Sequence, residues 1–469
     1  MPGREAARLG MNRLEQLRAL QAQGRLVLKA RPAPSAGTGA GGDPSPARRG
    51  DGGAGDAPGP TATAGTPTPG TGPLPLEPVP TRAGTAYRWR VAYPGDFRHG
   101  RLPAAAWHDE LERGLDLLAA LAGPAHLRQA APPRVEDLLF LDLETTGLSS
   151  AAGHRPFLAG LAWFEAPAGG PVTLVCEQYL LLDLEAEAAW LAAVARRVEE
   201  HPWLVTFNGR GFDWPMLAGR WHLLRQEPPA PRAHFDLLYP ARRLWGTGGQ
   251  PCNLRALERR LLGFQRDDDV PGAEIPGRFA RFLREGDARG LLPVFRHNAR
   301  DLLSLAGVTA ALPAYLRRPP AAATTAAEAL QVAREWERVD REAACAWYER
   351  ALALARRRTA VAAVAPAARR LVPLYRRGRR WAEAVAVQAA LCDAQHPLAP
   401  LEPWLDLAEL WLRCQDTGRA AACLAAAERL WTRRRRLTPG APGRPLLADR
   451  LERLRARLAA AQQQQRAAT

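Results

Sequence analysis

The sequence predicts an α/β domain at about 135–315 followed by an all-α region at about 320–465. The first observation behind this is a set of three apolar, strand-like runs at 138–141, 157–165 and 172–182. The second is that helical and strand-like segments then alternate, whereas the rest of the chain has only helical periodicity. We therefore expect one sheet with helices packed on it and a separate helical region, which fits a chain of 469 residues.

The order of elements in the α/β domain follows from its hydrophobic pattern. The break Gly169-Gly170-Pro171 between the second and third strand-like runs predicts a hairpin connection. A helix at about 184–199 and a strand at 203–207 follow. A helix that starts after residue 213 and a strand that ends near residue 236 come next, and an amphipathic helix at about 291–312 ends the domain. The domain is thus predicted to be a mixed five-stranded sheet with flanking helices.

The N-terminal third has three parts of different composition. Residues 1–30 have leucines at helical spacing and predict a short amphipathic helix. Residues 31–85 consist largely of Pro, Gly, Ala and Thr, which bury too little apolar surface to offset chain entropy, so we expect a disordered linker. Residues 86–134 regain aromatic and leucine residues and are interpreted as a preface packed against the α/β domain.

The C-terminal region contains related helical segments. Those ending at 348–354, 385–391 and 423–430 recur at intervals of somewhat under forty residues. They resemble degenerate tetratricopeptide-type helical pairs, which stack and offer a surface for a protein partner. An ordinary helical bundle is the alternative.

Charge and cysteine content limit the function classes. The net charge of +16 favours nucleic acid as a partner, although an Arg-rich composition that reflects GC-rich codons is an equal alternative. The six cysteines include no Cys-x-x-Cys pair, which argues against a zinc knuckle and a disulfide framework. With no apolar run long enough to span a membrane, we expect no membrane association and a cytoplasmic protein.

The most informative motif lies at the end of the first strand-like run. Asp142 and Glu144 are spaced by one residue, so in a strand they face the same side. Two ionised carboxylates held together repel unless a cation lies between them, and such oxygen ligands suit Mg²⁺ or Mn²⁺. The following Thr145, Thr146 and Gly147 are candidates to hold a terminal nucleotide. The alternative is a solvated strand end.

A second motif is Asn208-Gly-Arg-Gly-Phe212-Asp213, where a strand leads through a glycine-broken turn into a helix. Asp213 at the helix start is stabilised by the helix dipole. Taken alone, an aspartate at this position is more often a helix cap than a metal ligand.

A third motif is His297-Asn-Ala-Arg300-Asp301 on the last helix of the domain. Residues four apart share a helix face, so His297 and Asp301 are predicted to lie side by side. Such a pair alone is usually a surface contact.

In this order the three motifs resemble the Asp-Glu-Asp-Asp (DEDD) 3′-5′ exonuclease superfamily and, within it, the YprB-type ribonuclease-H-like family. Asp142 and Glu144 match the first motif, Asp213 the second and Asp301 the third. The resemblance extends over about 138–312 and includes His234-Phe-Asp236 and the string 266–273. It implies a ribonuclease-H-like fold and phosphodiester hydrolysis, with Asp236 and Asp267–Asp269 expected to be structural or supporting.

The resemblance also implies roles for individual residues. Two ions, Mg²⁺ or Mn²⁺, would be held with Asp142 bridging both, Glu144 and Asp301 on one with the attacking water, and Asp213 on the other. Asn208, Phe212 and Arg300 are expected to contact nucleic acid.

His297 departs from the family pattern. In histidine-type exonucleases the histidine lies five residues before the last aspartate, whereas His297 lies four before Asp301, where tyrosine-type enzymes have tyrosine. His297 is included among the catalytic candidates, and its role as general base is left open.

Three functions remain open at this point. The first is a metal-dependent 3′-5′ exonuclease acting on single-stranded DNA or RNA. The second is a non-catalytic scaffold for nucleic acid or protein built on a nuclease fold, and the third is a structure-specific endonuclease.

Overall fold

The computed structural model describes residues 27–28, 74–122, 133–147, 154–246, 251–286, 288–356, 361–392, 400–437 and 444–468. Its contacts divide the chain into two compact units, residues 1–315 and residues 316–469. The predicted N-terminal helix, apart from residues 27–28, and the part of the predicted linker up to residue 73 lie outside the described residues.

The first unit is built on a mixed sheet of seven strands. The strands are β1 Pro75–Thr81, β2 Gly84–Pro94, β3 Leu138–Thr145, β4 Pro156–Glu165, β5 Thr173–Leu180, β6 Trp203–Thr206 and β7 Ala233–Asp236. Their order across the sheet is β1-β2-β5-β4-β3-β6-β7. The four neighbouring pairs among β1, β2, β5, β4 and β3 are antiparallel, and the pairs β3-β6 and β6-β7 are parallel. A two-residue strand, Val27–Leu28, extends the β1 edge in parallel, where a helix was expected.

The prediction of five strands is wrong because β1 and β2 lie where a linker and a preface are expected. The Pro-rich composition of Pro75–Thr81 disguises the strand. Proline lacks a ladder donor but is tolerated near a sheet edge, which is where β1 lies. β1 buries Leu76 and Val79, and β2 pairs with β5 from Tyr87 to Pro94.

Helices pack on this sheet. They are α1 Ala104–Ala122, α2 Glu187–Glu200, α3 Asp213–Leu223, α4 Leu238–Trp245, α5 Leu254–Leu257, α6 Ile275–Glu285 and α7 Leu292–Arg317. β3 and β4 run through the centre and bury nearly every side chain, as expected for strands covered on both faces.

A buried ion cluster ties β2, β5 and α2 together. The Glu177 carboxylate is fully buried and accepts hydrogen bonds from Arg197 Nε and Nη2, both at 2.9 Å, and from the Tyr179 hydroxyl at 2.6 Å. Arg88 also contacts it, and Arg90 Nη1 lies at 3.4 Å. Buried carboxylates require this degree of compensation.

The second unit is helical throughout its described part. Its helices are α8 Ala326–Trp336, α9 Arg341–Ala355, α10 Val361–Arg377, α11 Trp381–Ala389, α12 Glu402–Arg413, α13 Thr417–Leu437 and α14 Arg444–Ala468. Neighbouring helices from α8 to α14 pack against one another in sequence. Across the described residues of both units, no helix combines the length and apolarity needed to cross a membrane.

Candidate active site

Acidic side chains from three elements meet near the carboxyl end of β3. Asp142 and Glu144 lie on β3, Asp213 is the first residue of α3, and Asp301 lies on α7. The pKa of Asp142 is raised well above its usual value, first by burial and then by the negative charges of Asp301, Glu144 and Asp213. The structure therefore brings all the predicted ligands into one electrostatic cluster.

The other carboxyls of this cluster are perturbed in the same direction. Burial raises the pKa of Glu144 well above its usual value, and the charges of Asp301 and Asp213 raise it further. Burial raises the pKa of Asp213 to about 7, although its own N–H and that of Leu143 oppose the change. Asp301 also has a raised pKa because it is buried. Like charges this close disfavour ionisation unless a cation compensates them.

The residues fit a divalent cation by two observations. The donors are all carboxylate oxygens, which Mg²⁺ and Mn²⁺ prefer. The Glu144 side chain is only 8% exposed, and among the described residues its buried Oε1 has no hydrogen-bond partner. A bound cation would satisfy an oxygen that is otherwise costly to bury.

Arg266 holds the third motif of this cluster in its present position. Its guanidinium contacts the carboxylates of Glu258, Asp269 and Asp301 and is almost completely buried. Among the described residues, no three His, Cys, Asp or Glu side chains already have the arrangement of a metal cage. The ion pair with Arg266 contributes to this result, because the guanidinium occupies Asp301 Oδ1, an oxygen that could otherwise face a cation.

His297 lies between two carboxylates. Its Nδ1 is 2.7 Å from Asp269 Oδ1, and its Nε2 is 3.5 Å from Asp301 Oδ2. Although burial opposes it, hydrogen bonds from His297 and Arg266 hold the pKa of Asp269 well below its usual value. The contact with Asp269 fixes the orientation of the imidazole ring, so that Nε2 faces Asp301. The pairing of His297 with Asp301 was expected from their spacing; the contact with Asp269 was not.

The candidates for holding a nucleotide lie directly after the acidic pair. The Thr145 hydroxyl donates to the Gly147 carbonyl at 2.6 Å, and the Thr146 hydroxyl accepts from the Arg155 N–H at 3.0 Å. A Cβ at Gly147 would lie 2.3 Å from Nε2 of His154, so a larger residue there would require the His154 ring to move. In this structure both hydroxyls close the turn that follows β3.

The remaining predicted nucleic-acid contacts differ in exposure and in their partners within the protein. Asn208 is exposed with φ of 69°, and Phe212 is half-buried. Arg300 Nη1 is 3.7 Å from Asp269 Oδ1 and 3.4 Å from the Asp268 carbonyl, so its charge is partly engaged within the protein. Asp236 has a structural role, because it accepts the N–H groups of Asn208, Arg210 and Leu238 at 2.7–3.0 Å.

Sequence reasoning missed one direct neighbour of the acidic pair. Asn298 Nδ2 donates to Asp142 Oδ2 at 2.7 Å and to the Asp142 carbonyl at 3.1 Å. The available signal was spacing, since Asn298 and Asp301 are three residues apart and therefore share a helix face.

Comparisons with known proteins agree with this architecture. Over 217 residues the chain is 35% identical to the uncharacterized protein YprB of Bacillus subtilis (strain 168), a match that covers 46% of this chain and 50% of that protein. The chain thus spans about half the length of the curated relative it matches. Residues 139–312 match the RNase H superfamily, and this region contains β3 to β7 and the helices that supply the acidic cluster.

Proposed function

We propose that the protein is a metal-dependent nuclease that hydrolyses phosphodiester bonds of single-stranded DNA or RNA, acting as a 3′-5′ exonuclease. The observation that supports this best is the convergence of Asp142, Glu144, Asp213 and Asp301, all with raised pKa values, within a region that matches the RNase H superfamily. Perturbed acidic groups gathered at one place are typical of functional sites.

These four carboxylates would hold two Mg²⁺ or Mn²⁺ ions. When bound, the ions would supply charge to a phosphate oxygen and make a water more acidic. The protein itself would orient the water: Asp269 keeps a proton on His297 Nδ1, so Nε2 accepts a proton at the side facing Asp301. His297 is thereby proposed as the general base despite its spacing from Asp301.

The substrate and direction of cleavage are proposed from the surroundings of the cluster. The turn at Thr145–Gly147 directly follows the acidic pair, and its closed conformation is proposed to place the turn backbone against a chain end. Asn208, Phe212 and Arg300 are proposed to contact the nucleic acid, and the exonuclease polarity is that of the family which the motifs resemble. The helices at 320–465 are proposed to be tetratricopeptide-type pairs that bind a protein partner.

The test is a cleavage assay with end-labelled single- and double-stranded DNA and RNA in Mg²⁺ or Mn²⁺. Asp142→Asn should lower the rate by at least about 10³-fold, because one of the carboxylates that would hold the ions is lost. EDTA should abolish cleavage by the wild type. The matched control is Asp109→Asn, on the exposed side of α1, which should leave the rate unchanged.

The products distinguish the alternatives. Stepwise shortening of a 5′-labelled strand, with a 3′ label released at once as a mononucleotide, supports the exonuclease, whereas internal fragments support an endonuclease on the same fold. If wild type and Asp142→Asn bind nucleic acid equally and neither cleaves it in either metal, the nuclease proposal is wrong and a non-catalytic scaffold is favoured.

A further inference from the structure

A row of three residues crosses the centre of the sheet beneath the acidic cluster. Asp142 on β3 is opposite Gly160 on β4, and Gly160 is opposite Gln178 on β5. Residues paired across neighbouring strands lie on the same face. Asp142 and Gln178 therefore point to the same side, with no side chain between them.

Asn298 of α7 fills the space above the glycine. A Cβ at Gly160 would lie only 2.1 Å from Asn298 Oδ1, so any larger residue would displace the amide. Asn298 is fully buried and Gln178 is 2% exposed. A buried amide in such a place must have its polar atoms satisfied.

The hydrogen bonds run in one direction along this row. Gln178 Nε2 donates to the Phe295 carbonyl at 2.8 Å and to Asn298 Oδ1 at 2.9 Å. Because Asn298 Oδ1 accepts from Gln178, its Nδ2 faces Asp142 and donates to both the carbonyl and Oδ2. Each amide nitrogen thus uses both of its hydrogens.

This arrangement differs from the arginine contact at Asp301. Asn298 is neutral, so it fixes the orientation of the Asp142 carboxylate without cancelling its charge. It engages Oδ2 and leaves Oδ1 for a cation. Hydrogen bonds to a ligating carboxylate commonly set its orientation and contribute to metal affinity.

We propose that Asn298, held by Gln178 over Gly160, is a positioning residue that orients Asp142 for divalent cation binding. The inference rests on the proposed metal site. Asn298→Leu has nearly the same shape but removes both donors to Asp142. It should weaken Mn²⁺ binding by about 10–100-fold. Gln178→Met removes the hydrogen bonds to Asn298 and to the Phe295 carbonyl but leaves both donors to Asp142, and it should weaken binding by a smaller factor.

The measurement is Mn²⁺ binding to the full chain, followed by the electron paramagnetic resonance signal of free Mn²⁺, together with Tm in EDTA and in Mn²⁺. The matched control is Gln388→Met in the second unit, where a buried amide donates to the Pro403 carbonyl at 3.0 Å. All three variants lose a buried hydrogen bond and should have a lower Tm in EDTA. Only Asn298→Leu and Gln178→Met should also lose part of the Tm gain from Mn²⁺.

The outcomes separate this inference from the proposed function. If the wild type binds Mn²⁺ and both site variants bind it within about twofold, the metal site stands and the positioning role is wrong. If the wild type does not bind Mn²⁺, the proposed function itself fails. Should Asn298→Leu not fold, Gln178→Met decides, because it leaves the contact with Asp142 in place.

Discussion

The electrostatic state of Asp213 links stability to pH. Its pKa is raised from 3.8 to about 7, so the folded state binds this proton more tightly than the unfolded chain. In the absence of a cation, this contribution to stability is present at low pH and is lost as pH rises from about 4 to 7. The site is therefore destabilising at neutral pH unless a cation is bound.

We expect Asp213→Asn to raise the stability of the metal-free protein at pH 8 by on the order of 2 kcal/mol, since the neutral amide cannot ionise. The gain should shrink toward pH 4, and nuclease activity should be lost. Thermal unfolding in EDTA across this pH range measures the effect, with Asp109→Asn as the control. A lower Tm for Asp213→Asn than for wild type at pH 8 would contradict it.

At the residue scale, the sequence predicts which acidic residues come together better than it predicts the residues that contact them. Asp142 and Glu144 follow from strand alternation, and His297 and Asp301 follow from helix periodicity. The contact of Asn298 with Asp142 joins positions 156 residues apart and depends on strand register, which local periodicity does not determine. The contact of Arg266 with Asp301 spans 35 residues, which is also beyond what local periodicity can predict.

At the scale of the elements, the packing of β2, β5 and α2 is stabilised by the ion cluster around Glu177. We expect Glu177→Gln to lower the free energy of unfolding by about 3–5 kcal/mol, because it leaves the partly buried guanidinium groups of Arg88 and Arg197 without their fully buried counter-charge. Urea denaturation measures this loss. The matched control is Glu165→Gln, which removes a 46% exposed partner of Arg90 and should cost less than about 1 kcal/mol. Equal, small losses for both variants would refute the structural role of the cluster.

The elements that were not predicted are strands whose pairing in the sheet stabilises them although their amino-acid composition is not typical of strands. β1 has three prolines in seven residues, a composition typical of linkers, yet its ladder with β2 and the burial of Leu76 stabilise it. β3 to β7 were predictable because apolar runs of strand length alternate with helical segments. Tertiary contacts decide the conformation where local signals are weak.

For the whole molecule, the net charge of +16 predicts salt-dependent binding of nucleic acid. If the second unit contributes to it, Arg433→Gln with Arg436→Gln should reduce the slope of log K against log salt by about 1.4, at roughly 0.7 per charge on a single strand. Both arginines are exposed on α13. Fluorescence anisotropy with labelled single-stranded DNA measures this slope.

The control for this experiment removes the same charge elsewhere. Arg82 and Arg232 are exposed in the first unit, and their replacement by Gln lowers the net charge equally. A smaller change in slope for this control would locate binding on α13. An unchanged slope for the α13 variant would mean that its arginines are only a solvated helix face.

The glycine between Asp142 and Gln178 also bears on how faithfully the sheet assembles. A slip of one residue between β3 and β4 would set Ala159 or Leu161 beside Asp142, and a side chain would then occupy the place of the Asn298 amide. Such a misaligned sheet could not seat α7, and the buried amide would lose its partners. The packing of Asn298 over Gly160 therefore disfavours a misaligned sheet, and the same packing places Asn298 against Asp142.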